Sequence, residues 1–239
     1  IMSLATLRDD LISWWSMDNS PEGLQYDEMD RLALTGVDLE ATSGIGGSAI
    51  EFNGTTSQLY HANNGLVQLS GRAFTFAGWF KFNSLTSDPV LFSKSNDTSL
   101  ISQYKLNYSN FATSLQFTVA NSTGSRTVLA FNGLAPPLNR WHFIVVWLDA
   151  VEGYVNIRMN DSNYSAASIS PMTGGMDVNT DGFYIGTDPD GTNPLDGAVD
   201  NLALWGRELT REEQSLLWND GMGLPFCAIE ETDCKSVTC

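Results

Sequence analysis

Cysteine is missing from most of this chain: Cys227, Cys234 and Cys239 all lie near its end and the body has none. Any disulfide or thiolate site is thereby confined to the last residues. Bases are scarce as well, with 12 Lys and Arg against 28 Asp and Glu and a formal charge of −16. Such a surface repels a phosphate backbone, which excludes a nucleic-acid partner. No long apolar run occurs either. The longest, FIVVWL (Phe143 to Leu148), is far shorter than the roughly 20 residues a helix needs to span a bilayer, so membrane insertion is excluded with it. The opening IMSLATLRDDLISWWSMDNS has no basic-then-apolar secretory signal. Because Ile1 precedes Met2, this leaves the compartment open.

Charged residues make up only 17% of the sequence, whereas 42% are apolar and 11% aromatic. Asn, Ser, Thr and Gly fill the gap left by charge, the make-up of an all-β protein with many turns. A chain of 239 residues can bury a sizeable core. Its acidity has two readings: solubility in a crowded or salty exterior, and carboxylates that hold a hard cation such as Ca²⁺.

Apolar residues recur with period two in segment after segment, separated by short turn clusters. In AFTFAGWFKF, Phe74, Phe76, Phe80 and Phe82 share one face and Thr75, Trp79 and Lys81 the other. SLQFTV groups Leu115, Phe117 and Val119, and GYVNIRMND sets Val155, Ile157 and Met159 against Tyr154, Asn156 and Arg158. WHFIVVWL is apolar on both faces, as a central strand covered on both sides would be. One helix is expected: Thr210 is a good N-cap, Glu213 completes a capping box, and Gly221 is a fitting stop. A short helical turn is expected around TLRDDL. Many amphipathic strands must bury one face against another sheet, which gives an all-β, two-sheet antiparallel sandwich with one short C-terminal helix.

Six blocks in order carry a family resemblance over about Asp10 to Gly221: DLISWWSMD, YDEMDRLALTG, GSAIEFNGTTSQL, FTFAGWFKF with VLFSKSN, NRWHFIVVWLDAVEGYVNIRMND, and GFYIGT…LDGAVDNLALWGRELTREEQSLLWNDG. In these the chain resembles laminin G-like, concanavalin A-like jelly-roll domains, in a version found in bacterial secreted proteins and phage virion proteins. The resemblance implies a jelly roll over residues 1–225, with 226–239 as a Cys-containing tail. It also implies a structural Ca²⁺ between the first and last strands. Asp200 matches the last-strand acid of DGxxDxxxxW, with Asp18 as its counterpart and Asn19 and Asp27 as further candidates. The chain departs from the family where Asn19 and Asn201 stand at positions often held by Glu.

Alternation places Asp200 with Leu202 and Leu204, so a carboxylate buried there needs hydrogen bonds, an ion pair or a cation. DPDGTNPLD is a second oxygen-rich Gly turn, more simply a turn than a site. For a sugar ligand the chemistry asks for an aromatic face and planar polar groups. Trp79, with Trp147 behind it, is the expected stacking platform, and Tyr154, Asn156 and Arg158 the expected polar lining. Neither His61 nor His142 has an obvious nucleophile partner, no apolar strand carries paired acids, and GIGG lacks the Lys-Ser/Thr of a phosphate loop and reads as a turn. No enzyme is expected. A Cys227–Cys234 bridge would leave Cys239 over, and the spacing fits no common zinc pattern. The sequence is therefore read as a non-catalytic binding or adhesion module outside the cell or on a virion surface, with a glycan or surface protein as partner. The alternative is a virion structural protein contacting other virion proteins or copies of itself, and a glycoside hydrolase ranks third.

Overall fold

The computed structural model describes residues 4–21, 23–95, 103–121, 126–130, 135–163, 165–168, 176 and 178–230, with side chains left aside at 126–130, 167 and 168. In chain order its strands are β1 (Leu11–Trp15), β2 (Leu24–Gln25), β3 (Leu34–Val37), β4 (Glu40–Ser43), β5 (Ser48–Asn53), β6 (Gln58–His61), β7 (Phe74–Ser84) and β8 (Val90–Lys94). They continue as β9 (Tyr104–Ser109), β10 (Ser114–Ala120), β11 (Arg126–Ala130), β12 (Trp141–Asp149), β13 (Tyr154–Met159), β14 (Ser165–Ser168), β15 (Phe183–Ile185) and β16 (Asp196–Trp205), followed by helix α1 (Arg211–Trp218). One sheet runs β14-β13-β12-β7-β16-β5-β4, with β1 also paired to β16; the other runs β11-β10-β9-β8-β15-β6-β3-β2. All described pairings are antiparallel. This is the two-sheet antiparallel sandwich that the alternation predicts and the jelly roll that the resemblance implies.

The sheets meet through their aromatic faces. Phe74, Phe76, Phe80 and Phe82 of β7 share one buried cluster with Phe92, Tyr104, Phe117 and Phe183 from the opposite sheet. Phe76 lies 4.5 Å from Phe92, centroid to centroid. Rings of this size bury more apolar area per residue than any other side chain, which is how a chain poor in charge holds two large sheets together.

A third layer covers the back of the β7-containing sheet. A second buried cluster there joins Trp14, Trp79, Phe143 and Trp205 to Leu7, Leu217, Phe226 and Ile229. This explains why β12 is apolar on both faces: Ile144, Val146 and Leu148 face the sandwich, and Phe143, Val145 and Trp147 face the outer layer. Leu7 comes from a 3-10 turn, Leu4–Arg8, the helical turn expected near TLRDDL. Phe226 and Ile229 come from another, Phe226–Ile229, so packing on the domain runs past residue 225, into the segment expected to be tail.

Helix α1 starts as expected. The Thr210 hydroxyl accepts the Glu213 amide at 3.2 Å, and Glu213 Oε2 accepts the Thr210 amide at 2.9 Å. Its end differs: the left-handed residue is Asn219 (φ 46°), and Gly221 falls within the turn that follows. Asn tolerates this conformation because its short amide bonds locally.

Strand β16 holds the main departure from simple alternation. Its register against β7 shifts between Asp200 and Ala203, and Asn201 has φ 44°. A bulge inserts one extra residue and reverses the facing of everything beyond it. Val199 is therefore inward before the bulge, and Leu202 and Leu204 inward after it. Asp200 lies opposite Trp79 on the outer side, not with the two leucines as alternation predicts. It is nonetheless fully buried, because the outer layer covers it.

Candidate functional site

The acids expected from opposite ends of the chain do come together, around the β4–β5 turn. The Ile45 amide donates to Asp200 Oδ2 at 2.7 Å, and the Ser48 amide to Asp18 Oδ1 at 2.7 Å. A Cβ on Gly44 would strike Asp200 Oδ2, and one on Gly47 would strike Asp18 Oδ1. GIGG is thus a cradle for two carboxylates as well as a turn. Asn201, the bulge residue, ties the group to β1: its Nδ2 donates to Asp200 Oδ1 at 2.9 Å, and its Oδ1 accepts the Trp14 indole N–H at 3.0 Å. Burial above all, and then the charge of Asp18, push the Asp200 carboxyl up to about 7, against the pull of the Ile45 and Asn201 donors.

A cavity of about 190 Å³ adjoins these acids, lined by Ser16, Asp18, Glu28, Ile45, Asn201 and Glu230 among others. Among the described residues no group of three or more acids, histidines and cysteines converges as a metal set. A cation here would therefore rest on the Asp18 and Asp200 carboxylates and on backbone oxygens. Their chemistry fits: Asp200 is a hard-oxygen ligand whose own buried charge is unfavourable without a cation, and Asp18 Oδ2 has no donor among the described residues. Asn19 is partly buried just beyond and makes no hydrogen bond to a described residue. Asp27 stands apart. Its Oδ1 accepts the amides of Trp14 and Met29, and its Oδ2 those of Arg31 and Leu32, so both oxygens organise the loop after β1.

The other acidic turn is also accounted for. Asp188 of DPDG accepts Lys105 Nζ on both oxygens, at 2.7 and 2.6 Å. The ammonium fills the place a cation would take. Cys227 is disulfide-bonded, and the expected partner Cys234 lies outside the described residues, as does Cys239.

Of the expected sugar-facing residues, Trp79 is not available as a platform. It points outward from β7 as expected, but Trp218 of α1 stacks on it at 5.2 Å and 19°, and only 2% of it is exposed. The covering residues lie some 140 positions later in the chain, out of reach of a local pattern. Tyr154, Asn156 and Arg158 do line a cavity, of about 380 Å³, between β12, β13 and the start of α1. Trp147 and Leu209 are also in its wall, together with Asp149, Glu152, Glu208, Arg211 and Gln214. Tyr154 is the exposed ring, at 42%.

The polar groups of this cavity are unevenly committed. The Arg158 guanidinium is buried and fully engaged: Nη2 with Asp161, Nη1 with Gln214 Oε1 at 3.2 Å, and Nε with the Ser162 carbonyl at 2.9 Å. Asn156 is also buried, and its Nδ2 donates to the Tyr154 carbonyl at 3.2 Å, which leaves Oδ1 as the acceptor for the cavity. Asp149 Oδ1 accepts the Val151 and Glu152 amides, both at 2.9 Å. Burial, and then the Asp149 charge, push the Glu208 carboxyl above its ordinary range, while the Trp147 indole N–H pulls it down. Glu208 and Gln214 escape a reading of the sequence because only the docking of α1 brings them over β13.

Among the described residues no helix is long and apolar enough to cross a membrane. Solved structures with a similar fold include the binding domain of Paraclostridial Mosquitocidal Protein 1, with a TM-score of 0.72 at 14% identity over 92% of this chain and 53% of that one. A botulinum neurotoxin type C structure, from work tying its cell entry to two ganglioside molecules, gives 0.69 at 15% identity over 91% of this chain and 53% of that one. The Trypanosoma rangeli sialidase gives 0.66 at 15% identity over 90% of this chain and 33% of that one. This chain spans about half of the first two and a third of the last, and at such identity the likeness establishes the fold alone. No curated protein sequence is significantly similar to it. A family model described as the concanavalin A-like lectin/glucanases superfamily, of laminin G type, matches residues 53–213. The chain belongs to that superfamily.

Proposed function

We propose that the protein is a non-catalytic carbohydrate-binding module that works outside the cell, with its glycan site in the cavity between β13 and α1. The observation that carries this reading is the cavity itself. At about 380 Å³ it falls within the roughly 300–1,000 Å³ of small-ligand sites, and it places the exposed Tyr154 ring beside the planar acceptor of Asn156. A ring face for a pyranose and an amide for its hydroxyls are what a saccharide needs. The engaged Arg158 holds β13 to Asp161 and α1, so its role is to position the wall. The similar neurotoxin structure, tied to gangliosides, agrees with a glycan ligand. A binding role, as opposed to hydrolysis, is supported by the commitments of the acids: Asp149 caps its own turn and Glu208 accepts the Trp147 indole. The Cys227 disulfide suits an oxidising exterior.

Calcium has a structural place in this reading. When bound, it supplies positive charge between the two ends of the chain, with Asp18 and Asp200 as its side-chain ligands. That charge would hold the β4–β5 turn against β1 and β16. It would not touch the glycan, because neither acid is in the wall of the β13–α1 cavity.

Titration with saccharides, followed by amide NMR and calorimetry, tests the site. Tyr154→Ala is expected to weaken binding about tenfold, or about 1.4 kcal/mol, with the fold intact. Saccharide binding that is indifferent to both Tyr154→Ala and Asn156→Ala would sink the assignment. The calcium reading predicts a melting temperature that rises with added Ca²⁺ and returns with chelator, since a ligand stabilises in proportion to its saturation.

A further inference from the structure

The groups that line the β13–α1 cavity are unusual in their balance of donors and acceptors. Three carboxylates, Asp149, Glu152 and Glu208, border it, against two guanidinium groups, Arg158 and Arg211. Arg158 is not available to a ligand, because Asp161, Gln214 and the Ser162 carbonyl occupy all of its nitrogens. Among the described residues, Arg211, at the first position of α1, is left as the one uncommitted cation in a wall with three acids. The buried Asn156 spends one amide N–H on the Tyr154 carbonyl and keeps Oδ1 as an acceptor among the described residues. With three acids against one uncommitted cation, the wall favours a ligand that brings donors and disfavours one that brings negative charge.

We infer that the cavity takes saccharides that are neutral or carry an ammonium group and rejects those bearing carboxylate or sulfate, with Glu152 and Glu208 as the groups that discriminate. This inference deepens the glycan reading above and rests on it. The chemistry is direct. A hydroxyl or ammonium donates to Asn156 Oδ1 and to the carboxylate oxygens. An acidic sugar placed there would set like charges side by side in a partly dry site, where their repulsion is screened less than in open water. Burial first and the Asp149 charge second raise the Glu208 carboxyl, and a cationic group placed beside it would relieve both. Specificity then comes from repulsion of the wrong ligand as much as from attraction of the right one.

The test uses the whole chain and three matched probes: a neutral oligosaccharide, the same oligosaccharide with terminal sialic acid, and a glucosamine oligomer with free amines. Each is titrated by calorimetry and amide NMR at low salt and again at high salt. Expected are binding of the neutral and amino probes, tighter for the amino probe at low salt than at high salt, and at least tenfold weaker binding of the sialylated one. Glu152→Gln with Glu208→Gln should bring the sialylated probe to within threefold of the neutral one. Equal or tighter wild-type binding of the sialylated probe, still lost in Tyr154→Ala, would overturn the charge inference and leave the glycan site standing. If none of the three probes moves the Tyr154 and Asn156 resonances, the glycan reading falls and this inference with it.

Discussion

The outer face of the β7-containing sheet has two halves built from the same materials and finished differently. Around Trp79 and Asp200, the segment from Trp218 to Ile229 folds back and closes the surface. Around Tyr154 and Asn156, coverage stops at α1, and a cavity is left. Both halves present an aromatic ring and polar groups from adjacent strands, so neither composition nor facing separates them. What separates them is the reach of a distant segment. An outward aromatic on a sandwich sheet is therefore a site only where nothing later in the chain lands on it.

Three experiments break or sharpen this contrast. The largest effect belongs to Trp79→Ala, which removes a ring packed on Trp218 and Phe143. A loss of about 3–5 kcal/mol is expected from denaturant midpoints. Near-native stability combined with lost saccharide affinity would instead mark Trp79 as a binding residue and erase the distinction.

Next is the acidity of Asp200. Its folded pKa of about 7 lies above its ordinary value, so the calcium-free folded state keeps the proton longer than the unfolded one. Stability from this group is then fully present below the ordinary carboxylate range and lost as pH rises through about 7. Chelated protein should melt higher at pH 5 than at pH 8, and Asp200→Asn should flatten that slope. Added Ca²⁺ should help more at pH 8, where the carboxylate is charged. A chelated protein that melts equally at both values would contradict the buried, crowded carboxylate.

The smallest effect is expected in the open half. Tyr154→Ala removes a ring with 42% of its surface in solvent, and stability should move by no more than about 0.5 kcal/mol. A loss near that of Trp79→Ala would show that Tyr154 is structural.

Much of this is legible in the residues themselves. Alternation in β7, β10 and β13 sorts inner from outer positions correctly, because each of these strands keeps one phase over its length. The capping box places α1, since a helix start is a local event of a few residues. Asp200 is the instructive failure. Alternation correctly predicts its burial but puts it on the wrong face, because a left-handed Asn201 shifts the phase and nothing short of the backbone announces it. The bulge also gives Asn201 its place between Trp14 and Asp200. The carboxylate cradle of GIGG is invisible for a similar reason: Gly44 and Gly47 are small on account of acids far away in the sequence.

The edge of β16 is shared, with β5 along its first half and β1 along its second. During synthesis the sandwich can close as soon as β16 emerges, whereas its outer coat still awaits Leu217, Phe226 and Ile229. A chain cut before Leu217 would keep both sheets yet leave Trp14, Trp79 and Trp205 without part of their cover. The stretch from Leu217 to Ile229 is thus a clasp on the outer face of a sandwich whose sheets do not need it for pairing.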